Sequence, residues 1–257
     1  MNKTSLGKVQ TTRFVCEPFH SDFTGHLTLS VLGNHLLNCA GEHAQARGFG
    51  MARLNEEEHT WVLSRMAIEM EEMPEQYETF EVDTWVESVY RLFTDRNFEV
   101  RNQEGRCIGY VRTVWAMIGM KSRKPIELMS LYDGMIVDYC YPEHPCPIEK
   151  PSRIKVTATE PVAHFTANYS DIDINGHVNS IRYIEHVMDL YGLDYLREHR
   201  VKRFEIAYVT ESYCGETLDI YVDHDDVSSD QVEVRHKDGS VVCRCKVELE
   251  QPKSGKQ

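Results

Sequence analysis

Apolar residues recur at helical spacing in two stretches of the chain. Between residues 28 and 47 they return every three or four positions, and Gly48 follows, which predicts a helix over 28–47. The same spacing predicts a second helix over 179–191, where Gly192 follows. Each helix would bury one apolar stripe and leave its other face in solvent.

The apolar period changes from helical to two after each predicted helix. Segments 217–222 and 241–249 alternate between apolar and polar residues, as strands of an antiparallel sheet with one solvated face do. Short apolar runs at 15–20 and 162–168 predict a leading strand before each helix. The pattern therefore predicts an α+β fold in which a long helix lies on an antiparallel sheet.

The chain contains this unit twice. Three pairs of similar segments occur in the same order in both halves: 25–27 with 176–178, 78–82 with 216–220, and 98–101 with 232–235. Only two copies occur, so duplication of a whole domain explains them better than a short structural repeat. Each half is predicted to contain a strand, a loop, a long helix and four strands.

Proline marks the boundary between the two halves. Six prolines lie within or just after residues 121–160: Pro125, Pro142, Pro145, Pro147, Pro151 and Pro161. Proline at this density opposes both helix and central strand. We predict an N-terminal half over 1–120, a connector over 121–160, a C-terminal half over 161–251 and a polar tail over 252–257. Within the connector, the pattern predicts a short helix at 126–132 and an ordered or semi-rigid surface segment at 141–151.

Composition narrows the class of protein. The formal net charge of −13 over 257 residues argues against general nucleic-acid binding, which relies on basic side chains. The chain has no apolar run of the ~20 residues that a membrane span needs, and the N-terminal residues lack the apolar centre of a secretion signal, which predicts a cytoplasmic protein. Its eight cysteines have no zinc or redox spacing, so we expect reduced thiols and no metal.

The segment 169–179 has the strongest chemical signal. Five polar residues alternate along it: Asp171, Asp173, Asn175, His177 and Asn179. In extended chain alternate side chains point to one side, so these residues would converge on one small volume. The Asn175-Gly176 pair suits the turn into the following helix. A capped helix start with a surface histidine is the alternative interpretation.

These residues carry a resemblance to a known family. The segment from Asp173 to Asn179 contains every defined position of the Asp-x-Asn-x-His-Val-Asn pattern of the plant and bacterial acyl-ACP thioesterases, which have a hotdog fold. The family also has a Tyr-x-x-Glu segment, matched here by Tyr208 to Glu211. Ser212 stands where the family usually has a cysteine, which argues against a thiol nucleophile. The resemblance implies a tandem, or double, hotdog.

The resemblance also implies roles for four catalytic residues. His177 would activate water or protonate the leaving thiolate, and Glu211 would share the base role or attack the carbonyl to form an anhydride. Asn175 would donate its amide N–H to the thioester oxygen or position the water. Asp173 would orient Asn175 or His177, and Asn179 is expected mainly to cap the helix. No organic cofactor is expected.

The N-terminal half is expected to be catalytically silent and to hold the acyl chain. It has His26 at the place of His177, but the residues before His26 are Phe23, Thr24 and Gly25, without the Asp-x-Asn pair. By family analogy the acyl pocket lies in this half, with four candidate wall residues that could equally be plain core: Trp61, Met66, Trp85 and Trp115.

The expected partner is acyl carrier protein bearing the acyl thioester. One basic cluster beyond the second helix is a candidate docking surface, although solvated charges explain it as well: Arg197, Arg200, Lys202 and Arg203. The leading functional hypothesis is hydrolysis of acyl-ACP to free fatty acid, which ends fatty acid elongation. The alternatives are an acyl-CoA thioesterase and a non-catalytic acyl-thioester sensor. A homodimer is left open.

Overall fold

The computed structural model describes residues 6–226 and 229–251, so the predicted tail 252–257 lies outside the described residues. The chain divides into two units. The N-terminal unit runs to Ser64 and resumes over Glu71–Lys150, and the C-terminal unit comprises Arg65–Met70 and the chain from Pro151 onward. The second half of one long strand therefore belongs to the C-terminal unit.

Both units have the same succession of elements. The first half of the chain contains β1 (Gln10–Val15), α1 (Leu29–Ala46), α2 (Met51–Glu56), β2 (His59–Met70), β3 (Thr79–Val89), β4 (Phe93–Arg101) and β5 (Cys107–Gly119). The second half contains β6 (Ala163–Thr166), α3 (Arg182–Met188), α4 (Leu193–Glu198), β7 (Arg200–Tyr208), β8 (Thr217–Asp226), β9 (Ser229–Arg235) and β10 (Val241–Glu250).

Strand order repeats along with element order. Hydrogen-bonded neighbours follow the order β1-β3-β4-β5-β2 in one half and β6-β8-β9-β10-β7 in the other. Strand pairs such as β3 with β4 and β8 with β9 are antiparallel. The predicted α+β plan of a leading strand, helical segment and four strands in each half is confirmed.

Helix α1 forms where the apolar spacing predicts it. Thr28 caps its start by accepting the Val31 N–H at its Oγ1, 3.2 Å away. Leu32 and Leu36 lie on the buried face of the helix. Gly48 follows the helix with φ of +84°, a conformation that glycine adopts without the usual side-chain penalty.

The second predicted helix is shorter than expected. A single helix over 179–191 is wrong: α3 covers Arg182–Met188, and a separate α4 begins after Gly192. Asn179 explains the late start, because its Oδ1 accepts the Ile181 N–H at 2.9 Å and its carbonyl accepts the Arg182 N–H at 2.9 Å. An asparagine that binds nearby backbone in this way favours a turn over a helix.

One leading strand lies earlier than predicted. The strand expected at 15–20 is wrong, because β1 covers Gln10–Val15 and pairs with β3, whereas Pro18–His20 form a 3-10 turn. Proline has no backbone N–H and sets a φ that suits the first position of such a turn. The other leading strand, β6, lies within the predicted segment 162–168.

The connector after β5 is folded against each unit through carboxylates and carbonyls. On the N-terminal unit, Trp85 donates its indole N–H to the His144 carbonyl at 2.8 Å, and the Cys146 N–H donates to Glu87 at 3.0 Å. Trp85, Cys146 and Ile148 form one buried cluster. Connector residues 141–150 are therefore ordered.

Two other parts of the connector are also held in place. The short helix predicted at 126–132 lies instead in a 3-10 segment, Leu128–Tyr139, which is interrupted around Tyr132 and Asp133, both with positive φ. Beyond residue 150, Ser152 donates its N–H and hydroxyl to Glu205 at 2.6 and 2.7 Å. This carboxylate holds the connector on the C-terminal unit.

A buried cationic group lies between α1 and the sheet of the N-terminal unit. Arg96 donates to Thr84 Oγ1 at 3.2 Å and to His43 Nδ1 at 3.3 Å. His43 Nε2 lies 3.1 Å from the Lys8 carbonyl, so the neutral imidazole can accept from one partner and donate to the other. Burial, with Arg96 and Arg47 nearby, lowers the pKa of His43 to about 3.

His43 makes part of the stability of the fold sensitive to acid. Its pKa falls from 6.5 to about 3 on folding, so the unfolded chain binds more protons below pH 6.5 and this stability is lost as the pH falls. Between pH 7 and pH 5 the wild type should lose about 2 kcal/mol more unfolding free energy than His43→Gln, which does not titrate. Urea unfolding of both proteins at the two pH values measures the difference, and equal losses would contradict it.

Candidate active site

Residues 171–179, here called the His177 turn, form a tight hairpin before α3. The Asp173 N–H donates to the His177 carbonyl at 2.8 Å, and Ile172 pairs with Val178. Gly176 has φ of +81° at the tip. The expectation of extended chain is therefore wrong in detail, because a reversal separates Asp173 from His177.

The Asp173 side chain organises this turn. Its Oδ1 accepts the Asn175 N–H at 2.8 Å and the His177 N–H at 3.3 Å. Its Oδ2 lies 3.4 Å from the Asn175 side-chain nitrogen. An aspartate that binds the backbone two residues ahead is a frequent stabiliser of turns. Asp173 thus fixes the backbone at both residues and contacts the Asn175 amide group, and its role in catalysis remains a prediction.

A second segment brings Glu211 to the turn. His177 Nδ1 lies 3.4 Å from Glu211 Oε1, and both side chains are partly accessible, at 24% and 35%. The Val178 N–H donates to the Ser212 carbonyl at 2.9 Å, which ties the two segments together. His177 and Glu211 are therefore neighbours although 33 residues separate them in sequence.

Tyr213 also contacts the imidazole, a contact that sequence reasoning missed. Its ring meets His177 edge to face at a centroid distance of 5.1 Å. The approach depends on the turn after β7, where the Tyr213 N–H donates to Glu216 at 2.9 Å. No periodicity or motif in the sequence marks this turn as part of the site.

Ser212 is buried beneath this site. Its Oγ lies 2.6 Å from the Tyr183 hydroxyl on α3, and burial raises the pKa of Tyr183 above its usual value. A buried hydroxyl needs such a partner, because leaving it unsatisfied costs about 1–3 kcal/mol. The serine at the family's cysteine position therefore joins α3 to the loop between β7 and β8.

The N-terminal half contains a close backbone copy of this turn, residues 20–28, here called the His26 turn. The Asp22 N–H donates to the His26 carbonyl at 2.8 Å, and the Thr24 N–H donates to Asp22 Oδ1 at 2.8 Å. Gly25 has φ of +83°, beside +81° in Gly176. Asp22 is not among the residues predicted from the sequence, although its four-residue spacing from His26 makes it the counterpart of Asp173.

The two copies differ in the side chains that could do chemistry. Thr24 takes the place of Asn175, and its Oγ1 lies 3.0 Å from His26 Nδ1. The turn after β2 also repeats the turn after β7, because the Glu75 N–H donates to Glu78 at 3.0 Å as the Tyr213 N–H does to Glu216. In that alignment Met73 stands where the other half has Glu211, without an ionisable group.

The predicted wall residues are held by contacts inside the protein. Trp61 donates its indole N–H to the Phe49 carbonyl at 2.9 Å, and Trp115 donates to Thr113 Oγ1 at 2.8 Å. Trp85 packs under the connector. Met66 is fully buried in the part of β2 that belongs to the C-terminal unit. An acyl-binding role for these four residues remains a prediction.

One predicted docking residue is buried in ion pairs. Arg203 is 6% exposed, and it donates to Glu69 at 2.8 Å and to Glu205 at 2.7 Å. A guanidinium enclosed by two carboxylates has little charge to offer a partner protein. Arg203 therefore supports β7 and β2 within the C-terminal unit.

The other three docking candidates are more accessible. Arg197 pairs with Asp194, and Arg200 pairs with Glu250. Lys202 is exposed on β7. Partner binding through these side chains would compete with two existing ion pairs, and it remains a prediction.

The described residues contain no group of three or more histidine, cysteine, aspartate or glutamate side chains able to hold a metal ion. Within the same residues no helix is long and apolar enough to cross a membrane.

The His177 turn provides an imidazole and a primary amide, and Glu211 places a carboxylate beside the imidazole. These groups can move a proton and donate a hydrogen bond to a developing oxyanion.

Comparisons with known proteins agree with this chemistry. Family models of the acyl-ACP thioesterase N-terminal and C-terminal domains match residues 7–132 and 154–251. The crystal structure of an acyl-ACP thioesterase from Bacteroides thetaiotaomicron is 60% identical, with a TM-score of 0.90 over 95% of this chain and 98% of that chain. The likeness confirms the predicted double hotdog fold.

Two curated plant proteins are more distant relatives. A chloroplastic palmitoyl-acyl carrier protein thioesterase of Gossypium hirsutum is 26% identical over 199 residues, which cover 73% of this chain and 48% of that protein. A chloroplastic oleoyl-acyl carrier protein thioesterase of Coriandrum sativum is 23% identical over 231 residues, which cover 84% of this chain and 63% of that protein. The chain thus spans about half to two thirds of their length.

The paired turns allow a matched test of backbone strain. Gly25 and Gly176 both have positive φ, and a Cβ at either position would meet no atom within 4 Å. Gly25→Ala and Gly176→Ala should therefore each lower the free energy of unfolding by about 1–2 kcal/mol through strain alone. Chemical denaturation measures both losses. A loss of under about 0.5 kcal/mol in either variant would show that the turn relaxes without strain.

Proposed function

The chain belongs to the acyl-ACP thioesterase family, and we propose that it hydrolyses acyl-acyl carrier protein to free fatty acid, a step that ends fatty acid elongation. The observation that carries the proposal is the contact of His177 with Glu211 at the turn that also carries Asn175. Thioester hydrolysis needs an activated water, a polarised carbonyl and a proton for the leaving thiolate. These three side chains can meet those needs.

His177 is the proposed general base. Its Nδ1 faces Glu211 at 3.4 Å, so the carboxylate favours the tautomer with a proton on Nδ1 and leaves Nε2 to accept a proton from water. The same nitrogen can then deliver that proton to the departing thiolate. At 3.4 Å this contact is longer than a usual hydrogen bond, and such contacts often tighten when a substrate binds.

Glu211 is proposed to orient the imidazole and to stabilise its charged form. Direct attack of Glu211 on the carbonyl, through an anhydride, is the alternative mechanism. The contact between Glu211 Oε1 and the imidazole favours the orienting role, because a carboxylate beside His177 Nδ1 stands where the carboxylate of a Ser-His-Asp triad stands.

Asn175 is the proposed donor to the thioester oxygen. The Asn175 side chain binds Asp173 Oδ2 with one amide N–H, at 3.4 Å, which leaves the other N–H available. A donor held in place before the reaction stabilises the tetrahedral oxyanion without having to reorganise. Asp173 therefore acts through the two residues that it positions.

The N-terminal half is proposed to bind the acyl chain and to lack catalysis of its own. The His26 turn has the same backbone hydrogen bonds, yet Thr24 has no amide group and Met73 has no carboxylate. An imidazole without an orienting carboxylate lacks the arrangement proposed for His177. The His26 turn thus offers a matched control for the active one.

Substitutions in the two turns test the catalytic assignment. His177→Ala and Glu211→Gln should each lower kcat about 10²–10⁴-fold, the range for loss of general acid–base catalysis. Asn175→Ala should lower kcat about 10²-fold or more through loss of an oxyanion donor. His26→Ala should retain wild-type kcat. The measurement is release of free fatty acid from acyl-ACP, with unfolding midpoints to verify that each variant folds.

The results also distinguish the other hypotheses. Full turnover in His177→Ala and Asn175→Ala would exclude the proposed mechanism. A wild-type protein that binds acyl thioesters without releasing acid would be the sensor. Equal loss in His26→Ala and His177→Ala would mean that both turns take part.

The identity of the carrier can be tested through Lys202, which lies exposed on β7. If acyl carrier protein docks near this residue, Lys202→Glu should lower kcat/KM on acyl-ACP about threefold or more and make it less sensitive to salt. The same acyl group on CoA serves as the control, and its kcat/KM should not change. A higher kcat/KM on acyl-CoA than on acyl-ACP in the wild type would favour the acyl-CoA thioesterase.

A further inference from the structure

A second acid–histidine pair lies at the base of the His177 turn. Asp171 is 8% exposed, and His186 is on α3 with its side chain 21% exposed. His186 Nε2 lies 3.4 Å from Asp171 Oδ1. This nitrogen is buried and has no aligned hydrogen bond among the described residues, so its contact with the carboxylate is electrostatic.

The His186 ring is held flat against a strand. It stacks on Phe165 of β6 with ring centroids 3.7 Å apart and planes 15° from parallel. The stack fixes the edge of the imidazole that faces Asp171. The other carboxylate oxygen of Asp171 accepts the Asn168 N–H at 2.7 Å. Asp171 is thus constrained from both sides.

The backbone of Asp171 closes the His177 turn. Its carbonyl accepts the Asn179 N–H at 2.8 Å, and the next contacts toward the tip are the pairing of Ile172 with Val178 and the Asp173–His177 bond. Asp171 and Asn179 therefore form the base of the hairpin that presents His177. Movement of Asp171 would move both ends of the turn.

In the N-terminal half, His20 stands in the place of Asp171. His35 on α1 packs against Phe14 of β1 with ring centroids 4.1 Å apart and planes tilted by 31°, and the Thr28 N–H donates to the His20 carbonyl at 3.0 Å. The residue that faces His35 is His20, with ring centroids 5.9 Å apart. His20 Nδ1 and His35 Nε2 are both buried without a hydrogen-bond partner among the described residues.

We propose that Asp171 and His186 form a positioning pair that holds the base of the His177 turn, so that His186 supports turnover without touching the substrate. The acid is present only in the half whose turn carries Asn175 and a facing Glu211. Removing the His186 nitrogen would take away the polar contact on one side of a buried carboxylate and leave the Asn168 N–H on the other, so the carboxylate would turn toward solvent and draw the Asp171 backbone with it. The effect on turnover rests on the proposed function.

Two substitutions separate the polar contact from packing. His186→Phe retains the stack on Phe165 but removes the nitrogen, whereas His186→Gln retains a side-chain N–H near the carboxylate. With acyl-ACP as substrate, His186→Phe should lower kcat about tenfold or more with KM nearly unchanged, because small misplacements of catalytic groups are costly. His186→Gln should restore most of the lost kcat. His35→Phe, the matched control on α1, should leave kcat unchanged.

Hydrogen exchange tests the same inference without any assay of activity. In His186→Phe the Asn179 amide, which donates to Asp171, should exchange on the order of tenfold faster than in the wild type. The Thr28 amide, which makes the equivalent bond to His20, should not change. His186→Gln should leave both rates near those of the wild type. Two-dimensional NMR in deuterated buffer measures both amides in one sample.

Each result has a definite meaning. Unchanged Asn179 exchange and unchanged kcat in His186→Phe would overturn the positioning role. Equal loss of kcat in the phenylalanine and glutamine variants would assign the effect to the imidazole ring and overturn the role of the polar contact. A wild type without hydrolytic activity would refute the proposed function, whereas the exchange rates would still decide whether the pair holds the turn.

Discussion

The geometry of the candidate active site depends on one constraint, namely the closure of the His177 turn by the carboxylate of Asp173. Two backbone N–H groups donate to Oδ1, and Gly176 supplies the positive φ that lets the chain reverse. Without that reversal, His177 would not lie beside Glu211 in the loop between β7 and β8. The Val178–Ser212 bond then fixes the two segments in register.

The duplicated fold separates the scaffold from the chemistry. Both halves retain the aspartate, the glycine and the backbone bonds of the turn, because these are needed to make the hairpin whether or not it catalyses. The groups that differ are those proposed to take part in catalysis: Thr24 stands in place of Asn175, and Met73 in place of Glu211. The presence of the turn in both halves therefore says little about activity, whereas the residue that faces it from the loop after β7 or β2 distinguishes the two halves.

Most of the fold could be predicted from periodicity, because apolar spacing and the internal repeat directly reflect burial. The errors lie where polar side chains bind local backbone. Asn179 delays α3 by binding two N–H groups, and Asp173 turns an expected extended segment into a hairpin. Single residues with strong local hydrogen bonding override a periodic pattern. The contacts of Tyr213 and His186 arise from tertiary packing, which sequence spacing does not encode.

Ser212 shows why the residue at one position of the family pattern can differ while the arrangement of the site is retained. Its carbonyl holds Val178 of the His177 turn, its hydroxyl shares a buried hydrogen bond with Tyr183 of α3, and it directly follows Glu211. A thiol is a weak hydrogen-bond donor, so a cysteine here would pack similarly but hold Tyr183 less firmly. The proposed mechanism draws its base from His177 and its nucleophile from water. The residue at this position takes no part in the proposed reaction, so it can instead link α3, the His177 turn and the loop after β7.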